Sequence, residues 1–424
     1  MNIIGRDRPA KPQRVVVIGA GVVGIACALT LRREGHDVVV LDPRLPGEGA
    51  SFGNAGIIAN CTVDPIGMPG IIRQVPRMLL DPMGPLAIRW RYLPRIAPWL
   101  MHLAAASRAE RVETISRALA SLVGNAVEAW GDLIRGTGGE QYVLSRGWIH
   151  AFETETAFTS VQPVIELRRR RGVRVEILTP RELHDLEPNI APIFRHGVYL
   201  PDTAFVTNPL QLVRAVADVF LAAGGKLMHQ RVIGFSDEGA GRHQVLTERE
   251  VHDCDRIVLA AGAWSRALAA MLGSRVPLDT ERGYHVMLPM PDRPPRHPIS
   301  SGERKFIILP MLDGIRITGG VELAGLEAPA NFTRIRRMAN CAQRMVPHLD
   351  TRIVSEWLGF RPSMPDSLPV IGHAPKRPAA LFAFGHGHVG LTAAASTARV
   401  IADLIAGRSP TIDLQPFRPD RFEL

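Results

Sequence analysis

The chain has 424 residues, 46% hydrophobic and 21% charged, a globular balance long enough for two domains or one composite fold with a sizeable core. Its formal net charge of +9 is spread along the chain, and it carries no nucleic-acid module or aromatic-basic platform, which argues against a nucleic-acid partner. Four cysteines, Cys27, Cys61, Cys254 and Cys341, show no C-x-x-C or zinc spacing, so a disulfide scaffold and a metal site are excluded. No stretch has the length of a membrane span, and residues 1–14 lack an apolar signal core. These features predict a cytoplasmic protein, soluble or peripheral to the inner face of the membrane.

In chain order, residues 15–19 read as a strand, Val22–Arg33 as a helix and Val38–Leu41 as a second strand. Residues 43–70 are loop. From 71 to 135 the pattern is helical and broken by prolines at 76, 82, 85, 94 and 98. There Trp90, Tyr92 and Trp99 sit among Arg89, Arg91 and Arg95, which suits a helical cap over a site or a membrane-surface contact. Residues 147–152 are strand-like and 158–170 helical, ending in Arg168–Arg171, read as a solvated helix end. Thr179 opens a short helix, and Asn208 caps a helix that runs to Gly224. Residues 255–268 form a buried strand, a tight small-residue turn and a helix. "GYHVMLPM", "KFIILP" and "GIRITGG" are spaced as antiparallel strands. Residues 381–407 read as strand, glycine loop and helix.

The chemistry starts at Gly19-Ala20-Gly21-Val22-Val23-Gly24. Gly19 permits a tight turn, Gly21 lets backbone approach a pyrophosphate, and Gly24 lets helix and strand pack closely. Asp42, at the end of the second strand, is placed to accept from an adenosine ribose, and its charge disfavours a 2′-phosphate. Two later features favour FAD over NAD. "AAGAWS" (260–265) supplies a second small-residue turn after a buried strand. "GHGHVGLT" (385–392) aims a helix N-terminus at the loop, where its positive end suits a reduced flavin.

"GAGVVG", "GEGASFGNAG" (47–56), "AAGAWS", "GFRPSMPDSLPVIG" (359–372) and "GHGHVGLT", in that order and spanning nearly the whole chain from residue 14, resemble the D-amino-acid oxidase superfamily of flavoproteins. Bacterial D-amino-acid dehydrogenases are the nearest likeness, and glycine oxidase is a cousin. "GHGHVGLT" and "RGYHV" further resemble members that oxidise cyclic D-imino acids such as cis-4-hydroxy-D-proline. The resemblance implies an α/β fold, with a Rossmann-type FAD-binding domain from 14–60, 205–275 and 357–424. An interleaved substrate domain, 61–204 and 276–356, carries a mostly antiparallel sheet and a helical cap. It also implies non-covalent FAD held by Gly19, Gly21, Gly24, Asp42, Arg44, Ser51, Asn54, Ala55, Gly56, Val232, Gly262, Trp264, Gly387, His388, Gly390, Leu391 and Thr392.

For the substrate, the resemblance implies that Arg361 grips a carboxylate, whose planar pair of oxygens fits a guanidinium fork; the alternative is a surface arginine paired with Glu356 or Asp366. The implied reaction takes a hydride from Cα to flavin N5, so no catalytic base is required and the amine has only to be neutral. His388 and His386 either line the pocket or hold the loop's shape. Strand neighbours face opposite ways, so one of Tyr284 and His285 points in, and Tyr284 is expected to be that one. Phe306 falls where glycine oxidase carries a carboxylate-binding tyrosine, which argues against glycine as substrate. The expected activity is oxidation of a D-amino or D-imino acid, D-proline or cis-4-hydroxy-D-proline among them, with a quinone or oxygen as acceptor. A sarcosine- or glycine-type oxidase and a non-catalytic FAD-bearing subunit remain the alternatives.

Overall fold

A computed structural model describes residues 11–81, 83–237 and 242–422; the reading of residues 1–10 and of Pro82 lies outside them. The elements that carry the site are β1 (Arg14–Ile18), α1 (Val22–Arg33), β2 (Asp37–Leu41), α2 (Leu93–Ala106), β3 (Arg256–Leu259), β4 (Asp279–Leu288), β5 (Gly314–Leu323), β6 (Ser355–Ser363), β7 (Arg377–Phe384) and α3 (Gly390–Ile405).

β1 is a continuous apolar run, and its residues Val15–Ile18 are all buried, as a strand covered on both faces requires. It lies at the centre of a six-stranded sheet in the order Lys226–Met228, β2, β1, β3, β7, Val370–Ala374. Five strands are parallel, and only the last pairs antiparallel, with β7. Three separated parts of the sequence therefore contribute to one sheet. α1 begins at Gly21 and ends at Glu34, with Arg32 and Arg33 in its last turn, where cations suit the helix dipole. α1 and α3 bury Ile25, Leu29, Ala394 and Ile401 in one core.

The second sheet runs in the order β6, β4, β5, Phe306–Met311, Ile299–Ser301, Trp148–Phe152, His196–Leu200, Glu176–Leu178, with Leu86–Ile88 added beside β5. It is antiparallel apart from the pairings of Ile299–Ser301 with Trp148–Phe152 and of Leu86–Ile88 with β5. The two sheets follow the mixed α/β plan that the motifs imply.

Four expectations need correction. The segment 357–363 belongs to β6 of the second sheet, so the return to the parallel sheet follows Ser363, not residue 357. The stretch 71–135 is not one cap. Ala109–Val123 and Ala126–Ile134 bury Ile115, Leu119, Leu122 and Trp130 in the core of α1 and α3, because their apolar residues recur at helical spacing. Only α2 covers the end of β5, through Ile96 and Trp99 against Leu323. Prolines 76 and 98 sit inside helices rather than ending them. The arginine run is not wholly solvated: Arg168 and Arg171, one helical turn apart, reach Asp64 at 2.8 Å and Ser116 at 3.1 Å, while Arg169 and Arg170 face water.

Candidate active site

A cavity of about 690 Å³ opens between the C-terminal ends of β1, β2, β3 and β7 and the face of β4, β5 and β6. Carboxyl ends of parallel strands are where open α/β sheets bind ligands. Of the residues expected at the cofactor, Gly19, Gly21, Asp42, Arg44, Ser51, Asn54, Ala55, Val232, Gly262, Trp264, Gly387, His388, Gly390, Leu391 and Thr392 line it.

At one end, Gly19 has φ +111°, and a Cβ there would run into the Ala260 carbonyl. Gly24 is outside the cavity wall. A Cβ on it would strike the Gly19 carbonyl, so its smallness serves helix-strand packing. Gly56 is likewise outside; it turns the chain at φ +74° against Val206. Asp42 accepts from the backbone N–H groups of Ala20 and Arg44, both at 2.8 Å. Ser51 Oγ accepts from Val22 N at 2.9 Å at the mouth of α1. The Arg44 guanidinium lies 5.0 Å from the Trp264 ring centre.

At the middle of the cavity, Thr392 Oγ1 accepts from Ala59 N at 3.1 Å and donates to Ile57 O at 3.2 Å, fastening α3 to the neighbouring loop. His386 is buried and shares a 3.0 Å hydrogen bond with Thr397. Burial pulls its pKa down to about 3. His388 exposes its ring to the cavity, and desolvation by the surrounding protein together with the Arg361 charge lowers its pKa to about 4. Both rings are neutral at pH 7. The loop Ser51–Gly56 is tied to the second sheet. His285 meets Gly53 O at 3.2 Å and stacks on Trp357 with ring centres 5.1 Å apart, and Arg316 donates to Asn54 O.

At the far end, Arg361 reaches over Gly283, and its only side-chain hydrogen bond among the described residues is to Gly320 O at 3.4 Å. Glu356 is taken by Arg336 at 2.7 Å, and Asp366 by Arg421 at 2.8 Å, so neither acid partners Arg361. Glu281 stands across the strand pair from it. Burial pushes the Glu281 carboxyl up and the Arg361 guanidinium down, each opposed by the other's charge.

Tyr284 is not brought to the cavity. Its ring packs in the core behind the sheet against Phe332, and its hydroxyl donates to Glu322. Strand alternation sends Arg282 and Tyr284 together to Glu322 on the far face and turns His285 toward Gly53 O, leaving Gly283 as the β4 residue on the cavity wall. Phe306 is also behind the sheet, fully buried, and its neighbours Lys305 and Ile307 line the cavity instead. Thr318, Gly319 and Gly320 of β5 and Trp357 of β6 complete this wall. The sequence reading missed all of them, although the Gly319-Gly320 pair inside a strand was a signal of close backbone approach.

These residues fit a flavin dinucleotide. A phosphate-cradling glycine loop and a ribose-side carboxylate lie at one end of a single continuous cavity, and the α3 N-terminus enters its middle. The family model for FAD-dependent oxidoreductases, DAO, matches residues 14–404. The chain belongs to that family. FAD is its cofactor, and it is an oxidoreductase of the D-amino-acid oxidase superfamily. It is 40% identical to a D-amino-acid oxidase of Bradyrhizobium diazoefficiens, over 97% of this chain and 99% of the relative. It is 32% identical to a D-amino acid dehydrogenase of Paramagnetospirillum magneticum, over 96% and 99%. A crystal structure of glycine oxidase from Geobacillus kaustophilus shares the fold with a TM-score of 0.74 at 22% identity, covering 96% of this chain and 99% of that one.

Proposed function

We propose that this DAO-family enzyme oxidises a D-amino or D-imino acid to the imine, which hydrolyses to the 2-oxo acid. One observation carries the reading: a half-buried guanidinium, with no ion pair within 4 Å among the described residues, faces the cavity from β6, as a carboxylate site needs. Bare backbone at Gly283, Gly319 and Gly320 leaves room beside Arg361 for the rest of the substrate. His388, neutral at pH 7, offers one ring nitrogen as acceptor to the substrate's amine. When bound, FAD supplies the two-electron acceptor for the C–H bond. The names of the 40% and 32% identical relatives support the D-amino-acid class.

The finer form is a cyclic D-imino acid such as D-proline or cis-4-hydroxy-D-proline, on the strength of "GHGHVGLT" and "RGYHV". Electrons then leave to a quinone or to oxygen. Exposed Leu80, Trp90 and Met101 near Arg77, Arg91 and Arg95 support a peripheral membrane contact. Tyr92 and Trp99 do not add to it, since Tyr92 donates to Asp279 and Trp99 to Ser363 O; among the described residues no helix is long and apolar enough to cross a membrane.

The test is anaerobic bleaching of the bound flavin with D- and L-amino acids, both 4-hydroxyproline epimers included. Bleaching by D- but not L-substrates is expected. Bleaching by L-enantiomers alone, or by none, contradicts the reading.

A further inference from the structure

Lys305 stands out on three independent counts. The chain has 50 cationic side chains, and only four are lysines, at 11, 226, 305 and 376. Lys11, Lys226 and Lys376 are exposed and absent from the cavity wall, whereas Lys305 lines it. In a chain that otherwise uses arginine, this position keeps the shorter, compact ammonium. Lys305 also has φ +55°, a left-handed backbone that costs a residue with a side chain free energy and tends to persist at functional sites.

The third count is its surroundings. The side chain is accessible, yet the protein around it desolvates the ammonium and lowers its pKa. Both hold because its accessible surface faces the cavity and not the outer surface of the molecule. Glu303, whose charge acts on it, accepts through Oε1 from the N–H groups of Glu153 and Thr154 at 2.9 and 3.1 Å, and makes no ion pair within 4 Å with Lys305 among the described residues. Lys305 has no hydrogen-bond or ion-pair partner for its ammonium among the described residues.

Position in the sheet decides what the ammonium can meet. Arg361 is on β6 and Lys305 at the start of Phe306–Met311, with β4 and β5 between them. Three strand spacings separate the two backbones by roughly 14 Å; the Arg361 side chain reaches over Gly283, the Lys305 backbone lies beside Gly319, and both residues line the cavity. Among the titratable residues on the cavity wall, the only acid is Asp42, at the opposite end by the glycine loop. The substrate end thus presents two cations to the cavity; Glu281, off the wall and across the strand pair, acts on Arg361, which leaves Lys305 as the cation no acid on the wall answers.

We propose that Lys305 is a specificity residue that donates to an oxygen on the substrate's side chain, distal to the carboxylate held by Arg361. A side-chain carboxylate answers both the charge and the donor of the ammonium, and a ring hydroxyl answers the donor alone. The inference rests on the proposed D-amino or D-imino acid reading and names the substrate class within it. Trp148, whose Nε1 is engaged by Ser300 at 2.9 Å, and Ile307 form the apolar walls beside the ammonium.

The test compares each acceptor-bearing substrate with its bare counterpart in the FAD-loaded enzyme: D-glutamate against D-alanine, and cis-4-hydroxy-D-proline against D-proline. Lys305→Met is expected to lower the D-glutamate to D-alanine ratio of kcat/KM by roughly thirtyfold or more, and the hydroxyproline to proline ratio by about tenfold. A fall in the first ratio alone identifies an acidic substrate, and in the second alone a hydroxylated one. Lys305→Gly, which tolerates φ +55°, should behave as Lys305→Met does, and Lys305→Arg should restore part of each ratio. Unchanged ratios overturn the proposal. If no D-substrate bleaches the flavin, the D-amino-acid reading fails, and binding decides the role of Lys305. Succinate should then perturb the flavin spectrum at lower concentration than propionate, with the gap closed in Lys305→Met; an unchanged gap overturns the proposal.

Discussion

The two ends of the cavity are built by different rules. At the glycine loop, local backbone shape decides everything. Residues 19–24 lie in one contiguous run, and Gly19 must be left-handed and bare. At the substrate wall, four strands from between residues 279 and 363 pair side by side, and a shift of one residue reverses which side chain faces the ligand. The first end is therefore read from spacing, and the second only from register.

Breaking the glycine loop should have the largest effect. Gly19→Val places a branched side chain at φ +111° against the Ala260 carbonyl. The variant is expected to purify without flavin and to bind added FAD at least about a hundredfold more weakly, measured by flavin fluorescence quenching.

At the other end, Gly283→Ala puts a methyl group where the Arg361 guanidinium lies. FAD should stay bound while kcat/KM falls by roughly ten- to a hundredfold, since a small misplacement of a substrate-holding group suffices. Loss of flavin instead would show that the two ends are not separable.

Tyr284→Phe sharpens the register argument. Its hydroxyl serves Glu322 and Asn331 behind the sheet, so the change should cost about 1–3 kcal/mol of stability while kcat/KM stays within about threefold. Denaturant unfolding beside steady-state kinetics checks this.

The pH dependence is the mildest effect. His285 and His386 are lowered to about 3 and His388 to about 4 by desolvation. The unfolded chain binds protons at these sites near pH 6.5, and the folded chain does not. Stability is then fully present above about pH 6.5 and is lost as pH falls toward about 4. Thermal midpoints across that window should drop, and Phe in place of His386 should flatten the drop.

The same contrast explains what the sequence made legible. β1, α1 and β2 were readable to within a residue because apolar runs, helical spacing and glycine punctuation are local signals. The fold class followed from them and from the later glycine motifs. Arg361 was singled out by the family resemblance and not by spacing, and only the structure shows that Glu356 and Asp366 are engaged elsewhere. Tyr284 was misplaced because alternation says that only one of Tyr284 and His285 faces the ligand side and leaves no mark of which; the structure turns His285 that way. Lys305 was passed over because a strand-start lysine looks like any solvated charge; its rarity in this chain was the usable signal.

The central claim is that Arg361 holds a carboxylate at the sheet end of an FAD cavity. Its most direct test is titration of the FAD-loaded enzyme with propionate, read from the flavin absorbance, in the parent chain, Arg361→Ala and Arg361→Lys. Removing one partner of a buried charge-assisted pair costs roughly 2–5 kcal/mol, so Arg361→Ala should weaken propionate by about thirtyfold to several thousandfold with FAD retained. Arg361→Lys should recover only part, because an ammonium lacks the planar fork. Equal propionate affinity in the parent and in a flavin-loaded Arg361→Ala would contradict the account.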